Sequence, residues 1–174
     1  TYFNTNFKNK IQSTGTGTEK TYENIGEAVM SGLENTVSLD VGKFFGWPRL
    51  VRGYSNLTYL LQAKDAITNK DLNLVAKLKI NYGIEYQDKI FTGRLNSRYV
   101  SKIKDVNYYA FTFPGVMELE YGEFMLLDLN LQVNIFKFLT AKFMVNNLTD
   151  QHYEEKNGYP LPGRTFGLGL AYQF

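Results

Sequence analysis

From Phe124 to Phe136 apolar and polar residues alternate. Leu127, Leu129, Leu131, Val133 and Ile135 share one face of an extended strand, and Asp128, Asn130, Gln132 and Asn134 share the other. Leu74 to Tyr86 repeats the pattern, with Leu74, Ala76, Leu78, Ile80, Tyr82, Ile84 and Tyr86 opposite Lys77, Lys79, Asn81 and Glu85. The last residues do the same: Phe166, Leu168, Leu170, Tyr172 and Phe174 alternate with Thr165, Gly167, Gly169, Ala171 and Gln173. Weaker copies run through 1–12, 28–43, 49–62, 90–103 and 139–147, before a final strand at 163–174. Their apolar sets include Leu33, Val37, Leu39 and Val41, then Leu57, Tyr59 and Leu61, then Phe143 and Val145. The pattern predicts about eight strands, each longer than is usual in globular sheets.

Strand length says what the apolar faces meet. About 12 residues rising about 3.3 Å each, tilted near 45°, cover roughly 28 Å, close to the hydrocarbon thickness of a bilayer. The expected connections alternate too, tight near 44–48, 87–89 and 136–138 and long and polar near 13–27, 63–72, 104–123 and 148–162. Short turns on one rim and long loops on the other are the arrangement of an outer-membrane barrel, with the tight turns periplasmic. The predicted fold class is therefore all-β, an antiparallel transmembrane β-barrel segment. Phe44, Phe45 and Trp47 then belong to an aromatic belt at the periplasmic interface.

Composition changes this picture little. A slightly negative mean hydropathy suits a barrel as well as a soluble domain, because only every second residue meets lipid. The 13 Tyr and 13 Phe against one Trp suit interfacial girdles. A net charge of +2 with both signs interspersed offers no footprint for nucleic acid. The absence of Cys excludes disulfides, thiolate metal sites and cysteine nucleophiles. Thr1 already lies inside a strand-like segment, with no charged region followed by an apolar one, so the expectation is a mature, truncated or excised segment.

Near the C-terminus the chain reads Asn147-Leu148-Thr149-Asp150, then Tyr153-Glu154, then Gly158-Tyr159-Pro160-Leu161-Pro162-Gly163-Arg164-Thr165-Phe166, and closes at Phe174. This succession closely resembles the C-terminal end of TonB-dependent outer-membrane receptors, in its elements, their order and their spacing. Tyr22-Glu23-Asn24-Ile25-Gly26-Glu27-Ala28, followed by Gly32-Leu33-Glu34, resembles a second family segment that opens a strand deep in the barrel. The resemblance implies a barrel of about 22 strands, of which this chain holds the last eight or so. It also implies an N-terminal plug domain and a TonB contact elsewhere in the parent protein. The implied activity is energised uptake of a scarce large nutrient: a ferric siderophore, cobalamin or haem. Lipid and lipopolysaccharide would surround the barrel, and Phe174 resembles the aromatic end read by the barrel-assembly machinery. No cofactor is implied.

The motif has a physical reading of its own. Pro160 and Pro162 fix φ and remove donors, and Gly163 permits backbone closed to other residues just before pairing resumes. Arg164 is expected at the outer rim, bonded to a loop carboxylate such as Asp150 or Glu154. Arg52, Asn56, Lys77, Lys79, Arg94, Arg98, Asp128, Asn130, Gln132 and Asn134 are expected to line the lumen. Arg94 and Arg98 lead toward the segment 104–123, whose Tyr108, Tyr109, Phe111 and Phe113 form an aromatic cluster suited to cation–π or stacking contact with a ligand. His152, the only histidine, lacks a nearby nucleophile in sequence, so no catalytic and no metal-binding residue is expected. Two other architectures compete: a complete eight-stranded barrel acting as an enzyme or adhesin, and a soluble β-sandwich whose apolar faces pack on each other.

Overall fold

The computed structural model describes residues 1–14, 21–112 and 115–174, with backbone alone at 12–14, 25, 106–112 and 115–118. The elements in chain order are β1 (Tyr2–Thr14), β2 (Thr21–Asp40), α1 (Val41–Phe44), β3 (Leu50–Asp65), β4 (Leu78–Gln87), β5 (Phe91–Val100), β6 (Ile103–Thr112), β7 (Gly115–Tyr121), β8 (Phe124–Phe136), β9 (Leu139–Asn146) and β10 (Thr165–Tyr172). Eight strands form one antiparallel sheet in the order β1, β2, β3, β4, β5, β8, β9, β10, while β6 and β7 form a separate two-stranded ribbon. Each predicted strand has its counterpart in the large sheet.

Register carries the alternation from strand to strand. Leu39, Gly53, Ile84, Leu95, Leu129, Val145 and Phe166 are successive cross-strand partners, so one apolar row crosses seven strands. The adjacent row on the opposite face is Asp40, Arg52, Glu85, Arg94, Asn130 and Met144. A slip of one residue in any pair would send the charges to the apolar side, which is why the pattern specifies the pairing so strongly.

No second sheet covers the apolar face among the described residues. Leu168 is 86% exposed and Leu170 77%, and Ile84, Val37, Leu39 and Phe166 also stand clear. A sandwich would bury these side chains, so the soluble alternative fails. The small-barrel alternative fails as well, because β1 and β10 are the two ends of an open sheet and are not paired with each other.

The differences from expectation have local causes. Val41 leaves the strand because Asp40 caps α1, its carboxylate accepting from the Lys43 N–H at 2.9 Å. Leu74 and Ala76 precede β4: Leu74 has φ 62°, and Ala76 bridges to Ile103. Lys77 also lies ahead of β4, where it pairs with Asp71 at 3.5 Å rather than joining the polar row. Much of the loop expected at 13–27 is strand, since β1 runs to Thr14 and pairs with Thr21. The loop expected at 104–123 is mostly the β6–β7 hairpin.

The tight turn between β4 and β5 is held by Asp88, which accepts from the Ile90 N–H at 2.8 Å, the Phe91 N–H at 2.7 Å and the Tyr86 hydroxyl at 2.8 Å. The Phe91 N–H, then the Tyr86 hydroxyl, hold its carboxyl below the usual range. A group with a depressed folded pKa stabilises above its unfolded pKa and loses that contribution as pH falls through the folded value. The protection factors of the Ile90 and Phe91 amides, observed rates divided into the intrinsic rate at the same pH, are therefore expected to hold at neutral pH and to fall only in acid, below about pH 4. Asp88→Ala should show the low protection factors at every pH.

Candidate functional site

The polar face is built around Glu85, which is 2% exposed. Direct pairing places Arg52 on one side of it and Arg94 on the other. Arg94 donates through Nε at 2.8 Å and contacts the same oxygen through Nη2 at 2.7 Å, while Arg52 donates through Nε at 3.1 Å and through Nη2 to the other oxygen. Burial would penalise a lone carboxylate, but four donors from two guanidinium groups replace its water. One negative charge thus ties three strands together and leaves the local wall with excess positive charge.

Two residues back along β4, at Gly83, the absence of a side chain matters. A Cβ on Gly83 would lie 2.6 Å from the Tyr54 hydroxyl oxygen and 2.6 Å from the Leu95 carbonyl oxygen. The bare backbone lets Tyr54 lie across β4 and donate to Asn96 on β5. Lys79, Asn81 and Arg98 continue the polar face toward the β4–β5 end that carries the longer connections, and Lys142 lies beside Arg94, Asn96, Asn130 and Gln132.

At that end the polar face changes character. Phe124 and Leu126 occupy polar-face positions of β8, yet they are buried with Ala76, Val100 and Ile103, and Tyr121 and Tyr153 pack against them. The connection from β9 to β10 causes this. Asn147 has φ 52° and ends β9; its N–H donates to Asp128 at 2.8 Å, its amide donates to the Gln151 carbonyl at 2.8 Å, and its side-chain oxygen accepts from the Gln151 N–H at 2.9 Å. Asn tolerates the left-handed conformation and supplies both a donor and an acceptor, which together close the turn. Leu148 continues it through its N–H to the Leu127 carbonyl at 2.7 Å. Tyr153 then reaches the cluster, its ring 4.8 Å from that of Phe124.

The remaining motif residues fold the loop on itself. Gly158 has φ 78° and donates to Glu154 at 2.9 Å, Leu161 donates to the Tyr153 carbonyl at 3.1 Å, and Glu154 bridges to Pro160. Tyr159 lies under the Lys156 ammonium at 4.8 Å. Asp150 accepts from the Arg164 N–H at 2.7 Å and pairs with its guanidinium at 3.9 Å, so Arg164 meets one of the two expected carboxylates. Gly163 approaches Asp150 so closely that a Cβ would lie 2.7 Å from its carboxylate oxygen. Pro162 lies in the same connection, and Phe174 stands exposed just beyond β10, its ring 6.4 Å from that of Tyr172.

The predicted ligand residues are not one group. Arg94 is committed to Glu85 within the sheet, whereas Arg98 stands 5.3 Å above the Phe124 ring and pairs with Glu155. Tyr108, Tyr109 and Phe111 lie on β6 with their side chains outside the described residues, and Phe113 lies outside them altogether. Tyr54, Glu155 and the Arg52–Glu85–Arg94 arrangement were not singled out beforehand. Parity alone offered a signal for the last of these, since all three alternate onto the polar face. His152 lies in a groove with Tyr121, Glu123 and Glu154, and no cluster of three or more potential metal ligands occurs among the described residues.

Comparison with known proteins agrees with this geometry. A mutant ferric enterobactin receptor from Pseudomonas aeruginosa, in complex with enterobactin, superposes with a TM-score of 0.76 and 23% identity, over 99% of this chain and 28% of that one. The siderophore receptor PirA from Acinetobacter baumannii gives 0.76 and 20%, over 99% and 29%. The copper transporter OprC gives 0.72 and 17%, over 99% and 29%. This chain thus spans roughly a quarter of the length of the structures it resembles. The family model described as TonB dependent receptor-like, beta-barrel, matches residues 1–148, and the chain therefore belongs to that family.

Proposed function

We propose that this chain is the C-terminal barrel segment of an outer-membrane receptor that imports a large nutrient, driven from the inner membrane through TonB. The observation that carries the reading is the two-faced sheet: an apolar row seven strands wide, on a face where Val37, Leu39, Ile84, Phe166, Leu168 and Leu170 stand exposed, backed by a polar row centred on Arg52, Glu85 and Arg94. The apolar face suits lipid and lipopolysaccharide; the polar face suits a water-filled lumen, a plug domain and a passing solute. The plug and the TonB contact belong to parts of the parent outside this segment.

Among ferric siderophore, cobalamin and haem, the polar face favours an anionic ferric siderophore. Lys79, Arg98 and Lys142 present ammonium and guanidinium groups on that face, and cationic groups recognise chelate oxygens by charge-assisted hydrogen bonding. Two of the structural relatives are siderophore receptors, which supports the same choice.

The test is uptake of radio-iron as ferric siderophore by cells with the parent gene deleted and then restored, with and without a protonophore and in a TonB-deficient strain. The expected result is uptake that needs the gene, the proton gradient and TonB together. Restored uptake that persists without TonB, or failure of every chelate to enter, would overturn the reading.

A further inference from the structure

We infer that Glu155 is a built-in competitor for the lumen's anion site: it occupies Arg98 in the free receptor, and an anionic metal chelate displaces it and frees the loop tip. This inference rests on the uptake reading above and adds to it a specific exchange of partners.

Three observations support the inference. Arg98 belongs to β5 and alternates onto the polar face, opposite Asn81 on β4 and Leu126 on β8, so the sheet sets its position. Glu155 arrives from the β9–β10 connection and crosses back over β9 and β8 to reach it. Beneath the pair lies a groove of about 390 Å³ in which Lys79, Asn81, Arg98 and Glu155 are the polar members. Without Glu155 the groove presents two cations and an amide, a constellation suited to carboxylate or catecholate oxygens. With Glu155 in place, one of those cations is already neutralised.

The loop is anchored unevenly. Tyr153 is held in the apolar cluster against Phe124, and Asn147 is clipped to Asp128, so the base of the loop is fixed. Two residues beyond Tyr153, Glu155 is 51% exposed and its partner Arg98 43%. An ion pair so open to water is screened and readily exchanged. Arg98 also stands over the Phe124 ring at 5.3 Å, a contact that does not involve Glu155. A chelate carrying several negative charges therefore competes well with a single carboxylate.

The experiment uses the full-length receptor in lipid nanodiscs with a nitroxide at Asn157→Cys, whose native side chain is exposed beside the latch. Mobility is read by electron paramagnetic resonance, and binding of ferric tris-catecholate is titrated against a neutral ferric tris-hydroxamate. In the free receptor, Glu155→Gln and Arg98→Gln should each raise label mobility. Tris-catecholate should raise it in the wild type, and Glu155→Gln should bind this anion several-fold tighter while Arg98→Gln binds it at least tenfold more weakly. An unchanged label in both variants would overturn the latch, whatever the uptake assay shows. A mobile label in both variants, with equal catecholate affinity in all three proteins, would overturn the competition. Failure of energised uptake in cells would instead strike the transport reading, and the free-receptor mobility would separate the two.

Discussion

Arg52→Ala and Arg94→Ala together are expected to destabilise the receptor by about 3–5 kcal/mol, the range for leaving a buried charge without its partner. Glu85 would then be a carboxylate at 2% exposure with none of its four guanidinium contacts. Each single substitution should cost much less, about 1–2 kcal/mol, because the other arginine still donates two charge-assisted bonds. The pair should therefore be strongly non-additive, as groups sharing one partner are. Urea unfolding from vesicles, followed in the two singles and the double, measures the coupling. Adding Glu85→Gln to the double variant should recover part of the loss, since an amide is cheaper to bury than a carboxylate. Additive singles and double would mean that the three residues do not act as one unit.

Phe124→Ala is expected to cost about 3–5 kcal/mol, the range for emptying a ring-sized site in a packed core. The residue is 2% exposed and central to the cluster of Ala76, Val100, Ile103 and Leu126. It also carries two ring partners, Tyr153 from the last long connection and Arg98 from β5. Its loss should thus do two things that Leu126→Ala does not do together: lower stability and release the 148–164 connection. Limited proteolysis of intact cells tests the second effect, with faster cleavage between Gln151 and Pro162 expected for Phe124→Ala. Equal cleavage in wild type and variant would show that the loop is held elsewhere.

The eight strands of the large sheet were legible because alternation is a local property. Each pair of neighbouring residues reports which side faces water, and register follows once every strand must present the same face. The row from Leu39 to Phe166 could be read in this way from residues far apart in the chain. The last connection was legible from its residue types, and of the two carboxylates expected for Arg164, Asp150 or Glu154, it pairs with Asp150.

Legibility ended where a side chain's environment came from a distant segment. Phe124 and Leu126 sit at positions whose parity reads as polar lumen, yet the returning loop brings Tyr153 onto them and makes an apolar core there. Arg94 and Arg98 look equivalent four residues apart in one strand; pairing assigns the first to Glu85, and the loop assigns the second to Glu155. The segment 104–123 reads as polar loop because its hairpin stands outside the large sheet, meeting the rest of the chain near Leu74 and Ala76, and so lacks the two-faced pattern of the large sheet. Sequence alone thus determined the eight strands and their faces, since solvent preference is written residue by residue. The partner of each charged group, and the sealing of one end of the polar face, were decided only in three dimensions, because both depend on contacts between segments that the chain brings together after the sheet has formed.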